Sequence, residues 1–142
     1  MKKFFVLIMA ISISLGAVAQ VGKVTAFIDQ GALDKAKEAL DQSMVNPKQN
    51  TNPKLFIAKG KLCQEAFKSD NPKFKALYAD PLEEAYNAYQ KAMELDPKGS
   101  VKKQFSLNQT YLLLGNDFIN QGVKAFEAQN YEAALKSFEF NI

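Results

Sequence analysis

The chain has 142 residues, 47% of them hydrophobic and 23% charged, which is the balance of one soluble globular domain. Its basic residues are all lysines, and it contains no histidine. Arginine supplies bidentate contacts to phosphates and bases, and histidine is the commonest general base and metal ligand. The composition therefore argues against nucleic acid, metal and cofactor binding, and against an enzyme.

The first 19 residues have the pattern of a bacterial secretory signal peptide. Lys2 and Lys3 precede an uncharged apolar run over 4–15, and Ala17-Val18-Ala19 follows as an A-x-A cleavage site. The apolar run is shorter than the ~20 residues that cross a bilayer. We expect cleavage after Ala19, export to the periplasm or the exterior, and no membrane insertion of the mature chain. An uncleaved anchor or a buried helix is the alternative.

Capping residues and prolines that start or stop helices divide residues 20–142 into helical segments. Asn52-Pro53 and Asp80-Pro81 each place a capping residue before a proline suited to the first helical position. Asp96-Pro97 is a stop signal, and Asn71-Pro72 is a candidate start for a short extra helix. Apolar spacing in between follows the helical period. The pattern predicts an all-α chain with helices at 21–30, 33–45, 53–69, 81–95, 101–128 and 131–141, the longest of them bent near 115–116.

A short pattern recurs along the chain. Ala36, Ala85 and Ala134 lie 49 residues apart, and each is followed four residues later by a larger apolar residue. A glycine, Gly60 or Gly122, lies in the helix before each of the last two alanines. Small residues at such positions let paired helices approach closely, and the larger residues fill the space between pairs.

These residues resemble the tetratricopeptide repeat, a family of antiparallel helix pairs with conserved aromatic, Gly, Ala and Pro positions. The Gly122-to-Ala134 spacing and the Leu95-Asp96-Pro97 ending match the family, whereas the 49-residue interval exceeds its period of about 34. The resemblance implies an α-solenoid of three pairs, at about 20–45, 53–97 and 101–142; a generic helical bundle is the alternative. The residues expected to pack the repeats are Ala36, Leu40, Phe56, Gly60, Ala85, Tyr89, Pro97, Phe118, Gly122, Tyr131, Ala134 and Phe138.

The resemblance also implies a function. Such repeats bind proteins or peptides on the concave surface formed by the first helix of each pair, so we expect an interaction scaffold of the cell envelope. Simple solvated surface is the alternative. The positions expected to contact the partner are Lys54, Ile57 and Lys61 in the middle copy and Asn116, Ile119, Asn120, Val123 and Glu127 in the last.

Two features leave alternatives open. The chain reaches Ile142 without the polar capping helix that solenoids usually carry. Self-association through this end is one expectation, and an N-terminal segment of a larger envelope protein, with its main activity downstream, is another. The single cysteine, Cys63, cannot form an internal disulfide, and we expect it to be buried in a helix rather than reactive.

Overall fold

The computed structural model describes residues 20–140, and every regular element within them is helical, as the sequence predicts. The predicted signal peptide and the last two residues lie outside the described residues. The helices are α1 (20–29), α2 (Leu33–Met44), α3 (Pro53–Lys68), α4 (Pro72–Lys75), α5 (Pro81–Glu94), α6 (Ser100–Gln104), α7 (Leu107–Glu127) and α8 (Tyr131–Glu139).

Side-chain caps start the helices where the sequence predicts them. The Asn52 side chain accepts a hydrogen bond from the backbone N–H of Lys54 at 3.0 Å, and Asp80 accepts one from Glu83 at 3.4 Å. Each cap precedes a proline in the first turn. Asn71 caps α4 in the same way, so the short extra helix is confirmed. Local chemistry therefore fixes these boundaries.

The single helix predicted over 101–128 is wrong, because the structure contains two. The carboxylate of Asp96 accepts hydrogen bonds from three backbone N–H groups, those of residues 100–102, and so starts α6. The chain then breaks at Ser106, whose φ of 48° is left-handed. Glycine usually marks such a conformation, and serine gives no comparable signal. α7 continues as one helix through Gly115, where the sequence predicts a bend.

Two clusters of buried side chains hold the helices together, and α3 contributes to both. The first cluster joins α1, α2 and α3 around Val24, Leu40 and Leu62. The second joins α3, α5, α6 and α7 and contains Tyr89 and Leu114. Residues from α4 and the segment after it pack against the first cluster: Phe74, Leu77 and Tyr78. The long insertion therefore covers the first core.

Helices that are close in sequence are also in contact. The closest associations are α3 with α5 and α7 with α8, while α2 contacts α3 and α5 contacts α7. The two halves of α7 have different roles. Leu107, Leu114 and Phe118 belong to the core of the middle pair, whereas Gly122 receives a ring from α8. The long helix α7 thus extends beyond the middle pair and carries α8 on its second half.

Candidate protein-binding face

Two glycines receive aromatic rings, and both were predicted to pack the repeats. The ring of Tyr89 lies where a methyl group on Gly60 would be, and the ring of Phe138 lies in the same place at Gly122. The nearby alanines, Ala85 and Ala134, are buried. The middle and last pairs therefore share one packing geometry.

The other predicted packing residues differ in how far they are enclosed. Ala36 and Leu40 are buried in the first cluster, Phe118 is buried in the second, and Phe56 packs against the second while partly buried. Pro97 lies in an exposed turn. Tyr131 is 59% exposed, so its predicted packing role is wrong except for an edge contact with Phe126.

A polar network that sequence reasoning missed crosses the core between three helices. The hydroxyl of Tyr89 donates to Oε1 of Gln64 at 2.6 Å, and Nε2 of Gln64 donates to Oδ2 of Asp117 at 2.8 Å. Lys68 adds an ion pair to Asp117 at 3.4 Å. Gln64 and Asp117 are both buried. Because unpaired polar groups are costly in a core, these bonds fix how α7 sits against α3 and α5.

Of the three middle-copy positions predicted to contact a partner, one is covered by the chain itself and two are exposed. The ammonium groups of Lys54 and Lys61 are exposed but lie 6.0 and 5.4 Å from the ring centroid of Phe105. Ile57 is only 2% exposed, and its prediction as a partner contact is wrong. It belongs to the second cluster, together with Leu107 and Leu114 of α7, so a neighbouring helix already occupies this position.

The last-copy positions are all exposed and lie on one side of α7. Asn116, Asn120, Val123 and Glu127 recur at intervals of three or four residues, which places them along one side of a helix. Ile119 follows Phe118 just as Ile57 follows Phe56, yet Ile119 is 44% exposed. The side that is covered on α3 is therefore open on α7.

The second helix of each pair shows the same contrast. Tyr86 directly follows Ala85 on α5, and its ring meets Tyr111 of α7 edge-on, with the ring centroids 6.1 Å apart. Leu135 directly follows Ala134 on α8 and is 60% exposed. An apolar position that contacts the next helix in the middle pair thus faces solvent in the last pair.

These exposed positions form one surface, which we call the outer α7–α8 face. Three of its residues recur at i, i+4 and i+7 on α7, and three recur at the same spacing on α8, so each helix presents an apolar stripe. Phe126 and Tyr131 join the stripes through an edge contact with ring centroids 5.4 Å apart. Sequence reasoning missed Phe126 and Leu135. The face consists of Ile119, Val123, Phe126, Tyr131, Leu135 and Phe138.

A groove is formed between α1, α3, α5 and α7. It has a volume of about 410 Å³, with the Gln64 and Tyr89 side chains among its lining residues. Its other lining residues combine both charges with apolar groups: Ile28, Asp29, Lys61, Glu65, Lys68, Thr110 and Leu113. Of the eight positions predicted to contact a partner, Lys61 alone lines this groove, and the mixed chemistry of the groove selects no class of ligand.

The Cys63 thiol and the Tyr89 phenol are both used in packing. Cys63 is fully buried, as the sequence predicts, and burial raises the pKa of its thiol to about 12. Burial also raises the pKa of Tyr89. Nowhere between residues 20 and 140 do three or more Cys, Asp or Glu side chains gather as potential metal ligands. None of the helices in that range has the length and hydrophobicity needed to cross a membrane.

Comparison with known proteins does not assign the chain to a family. No protein-family model, curated protein or solved structure matches the chain. The tetratricopeptide resemblance therefore depends on the residues named above, and any functional conclusion depends on the geometry of the exposed faces.

Proposed function

We propose that this chain is a protein-interaction module, built from three stacked helix pairs of tetratricopeptide type, that binds a protein partner on the outer α7–α8 face. One observation carries the proposal: Ile57 is buried against α7 and Tyr86 contacts it, whereas their counterparts Ile119 and Leu135 are exposed. Large contiguous apolar patches on soluble proteins commonly mark interaction sites.

The energetics of the face suit a binding site. Phe126, Tyr131 and Leu135 are each about three-fifths exposed. Burying apolar surface is worth about 25 cal/mol per Å², and aromatic anchors often dominate interface energies. Three such side chains on two adjoining helices can therefore anchor a partner.

Binding is favoured over catalysis by the state of the chemically capable side chains. Cys63 is buried and holds its proton to about pH 12, so it is a poor nucleophile. The hydroxyl of Tyr89 is engaged in the core by Gln64. The proposal therefore assigns the chain no reaction.

Export is a second part of the proposal, and it is supported by the N-terminal sequence. Lys2 and Lys3, the apolar run and Ala17-Val18-Ala19 form the three parts of a signal peptide. Mass spectrometry of the native protein reads the N-terminus directly. We expect it to begin at Gln20; a chain that begins at Met1 would show that export by cleavage is wrong.

The binding proposal is tested with three baits purified from the same host: the native chain, Leu135→Asp and Val45→Asp. Val45 is 80% exposed and lies just after α2, outside the outer α7–α8 face, so it is a matched control. We expect the native and Val45→Asp baits to retain one envelope protein that Leu135→Asp loses. Equal retention by all three baits would refute binding at this face.

A further inference from the structure

We propose that the partner element is an amphipathic helix whose apolar stripe is bordered by lysine or arginine on both sides. This inference rests on the proposed function, since it concerns the occupant of the same outer α7–α8 face. Two separate observations carry it, one on the shape of the face and one on its charge.

The shape of the partner is inferred from the helix of this chain that covers the equivalent surface of the middle pair. There the occupant is a helix, α7, which presents Leu107, Tyr111, Leu114 and Phe118 at i, i+4, i+7 and i+11. On the last pair the same surface is formed by the stripes of α7 and α8. A helix with apolar residues at this spacing is therefore the complementary shape.

The charge comes from the residues that border the stripes. Glu127 lies four residues after Val123, only about 40° further round α7. Glu139 has the same relation to Leu135 on α8. Glu132 precedes Leu135 by three residues, and both line one surface hollow with Lys136 and Glu139. All three residues are exposed, so the α8 edge of the face carries two glutamates and the α7 edge carries one.

The two nearby lysines offset only part of this charge. The ammonium group of Lys136 is 2.8 Å from a carboxylate oxygen of Glu83 and 3.1 Å from one of Asp80, so it is paired with α5 and its cap. Lys124 lies three residues before Glu127 on α7 and offsets part of its charge, so most of the negative charge comes from Glu132 and Glu139 on α8. The border of the face is therefore acidic, and basic residues on the partner complete it.

The same charges disfavour a second copy of this chain as the occupant. In a two-fold symmetric dimer the same patch meets itself. Glu127, Glu132 and Glu139 of one copy would then approach those of the other, and like-charge contacts oppose association. A basic helix buries the same apolar residues and gains attraction at both edges.

The test uses two synthetic helical peptides of about 18 residues, which is about five turns. Both carry leucine at i, i+4, i+7 and i+11. One peptide has lysine on both sides of the stripe, and the other has glutamate. Fluorescence anisotropy measures each Kd with the native chain, Leu135→Asp and the Val45→Asp control. We expect the lysine peptide to bind the native and control chains at least tenfold more tightly than the glutamate peptide, and Leu135→Asp to lose this binding.

A variant without the three glutamate charges measures the electrostatic contribution to peptide binding. With Glu127→Gln, Glu132→Gln and Glu139→Gln combined, we expect the preference for lysine to fall toward unity while leucine-dependent binding persists. Added salt should weaken the native preference, because exposed charges are screened. All five substitutions lie at exposed positions, and thermal unfolding confirms that the variants are folded.

The peptide experiment tests the basic-helix inference, and the bait experiment tests the proposed function independently. Equal affinity for the two peptides, or no affinity for either, would overturn the basic-helix inference, and the bait experiment would still decide whether a protein binds this face. Sedimentation of the chain alone is the second arm. A dimer that Leu135→Asp dissociates and Val45→Asp does not would show that a second copy is the occupant.

Discussion

The ring of Tyr89 on α5 fills the space that Gly60 leaves on α3, and this contact sets how closely the two helices of the middle pair approach. Tyr89 is completely buried, and its hydroxyl is bound to Gln64. The ring is therefore held at both ends and cannot move aside without breaking a buried hydrogen bond.

We expect Gly60→Ala to lower the free energy of unfolding by about 1–2 kcal/mol. Overpacking of a core costs about 1–3 kcal/mol, and alanine returns up to about 1 kcal/mol of helix propensity. Urea unfolding followed by circular dichroism measures the difference. Stability equal to that of the native chain would contradict the role given to this contact.

Two further glycines serve as controls for Gly60→Ala. At Gly22 a methyl group would meet nothing within 4 Å, so Gly22→Ala should leave stability unchanged or raise it by up to about 1 kcal/mol. At Gly122 it would overlap Phe138, which is 36% exposed and can turn toward solvent. We expect Gly122→Ala to cost less than Gly60→Ala.

The second prediction concerns the hydrogen bond between Tyr89 and Gln64, which Tyr89→Phe removes. Removing the hydroxyl leaves Oε1 of buried Gln64 without its partner, and we expect a loss of about 1 kcal/mol in the free energy of unfolding. In a Gln64→Leu background the same change should cost close to nothing. A double-mutant cycle measures this coupling. Equal costs in both backgrounds would show that the bond contributes no net stability.

Alkaline pH should destabilise the protein in two steps. Burial raises the pKa of Cys63 from 9.0 to about 12 and that of Tyr111 from 10.0 to about 12. The folded state then keeps protons that the unfolded state releases. The contribution of these groups to the free energy of unfolding is therefore fully present below pH 9 and is lost as the pH rises toward 12. Urea midpoints measured at intervals from pH 8 upward follow the decline.

Cys63→Ala separates the two steps. Without the thiol, the decline should begin near pH 10, where the unfolded tyrosines start to ionise, instead of near pH 9. A decline that begins at the same pH in both proteins would contradict the assignment of the first step to Cys63.

The sequence predicted those parts of the fold that depend on local chemistry. Asn52 and Asp80 begin helices because a side-chain cap and a following proline act within one turn. Gly60 and Gly122 were identified because a missing side chain is visible in the sequence. The break at Ser106 could not be predicted, since serine adopts the left-handed conformation there without a local signal.

The candidate site was only partly predictable for a different reason. Ile57 and Ile119 follow equivalent aromatic residues, so a pattern in the sequence treats them alike. Only the tertiary position of α7 buries the first and exposes the second. The Gln64–Asp117 bond joins residues 53 positions apart, and neither partner predicts the other.

The central claim is that the outer α7–α8 face contacts another protein, and site-specific photo-crosslinking in the native cell tests it most directly. A photoreactive amino acid replaces Leu135 or Val123 on the face, or Val45 outside it. We expect a crosslink to one partner protein from positions 135 and 123 and none from position 45. Crosslinks of equal yield from all three positions, or none from 135 and 123 in folded protein, would contradict the claim.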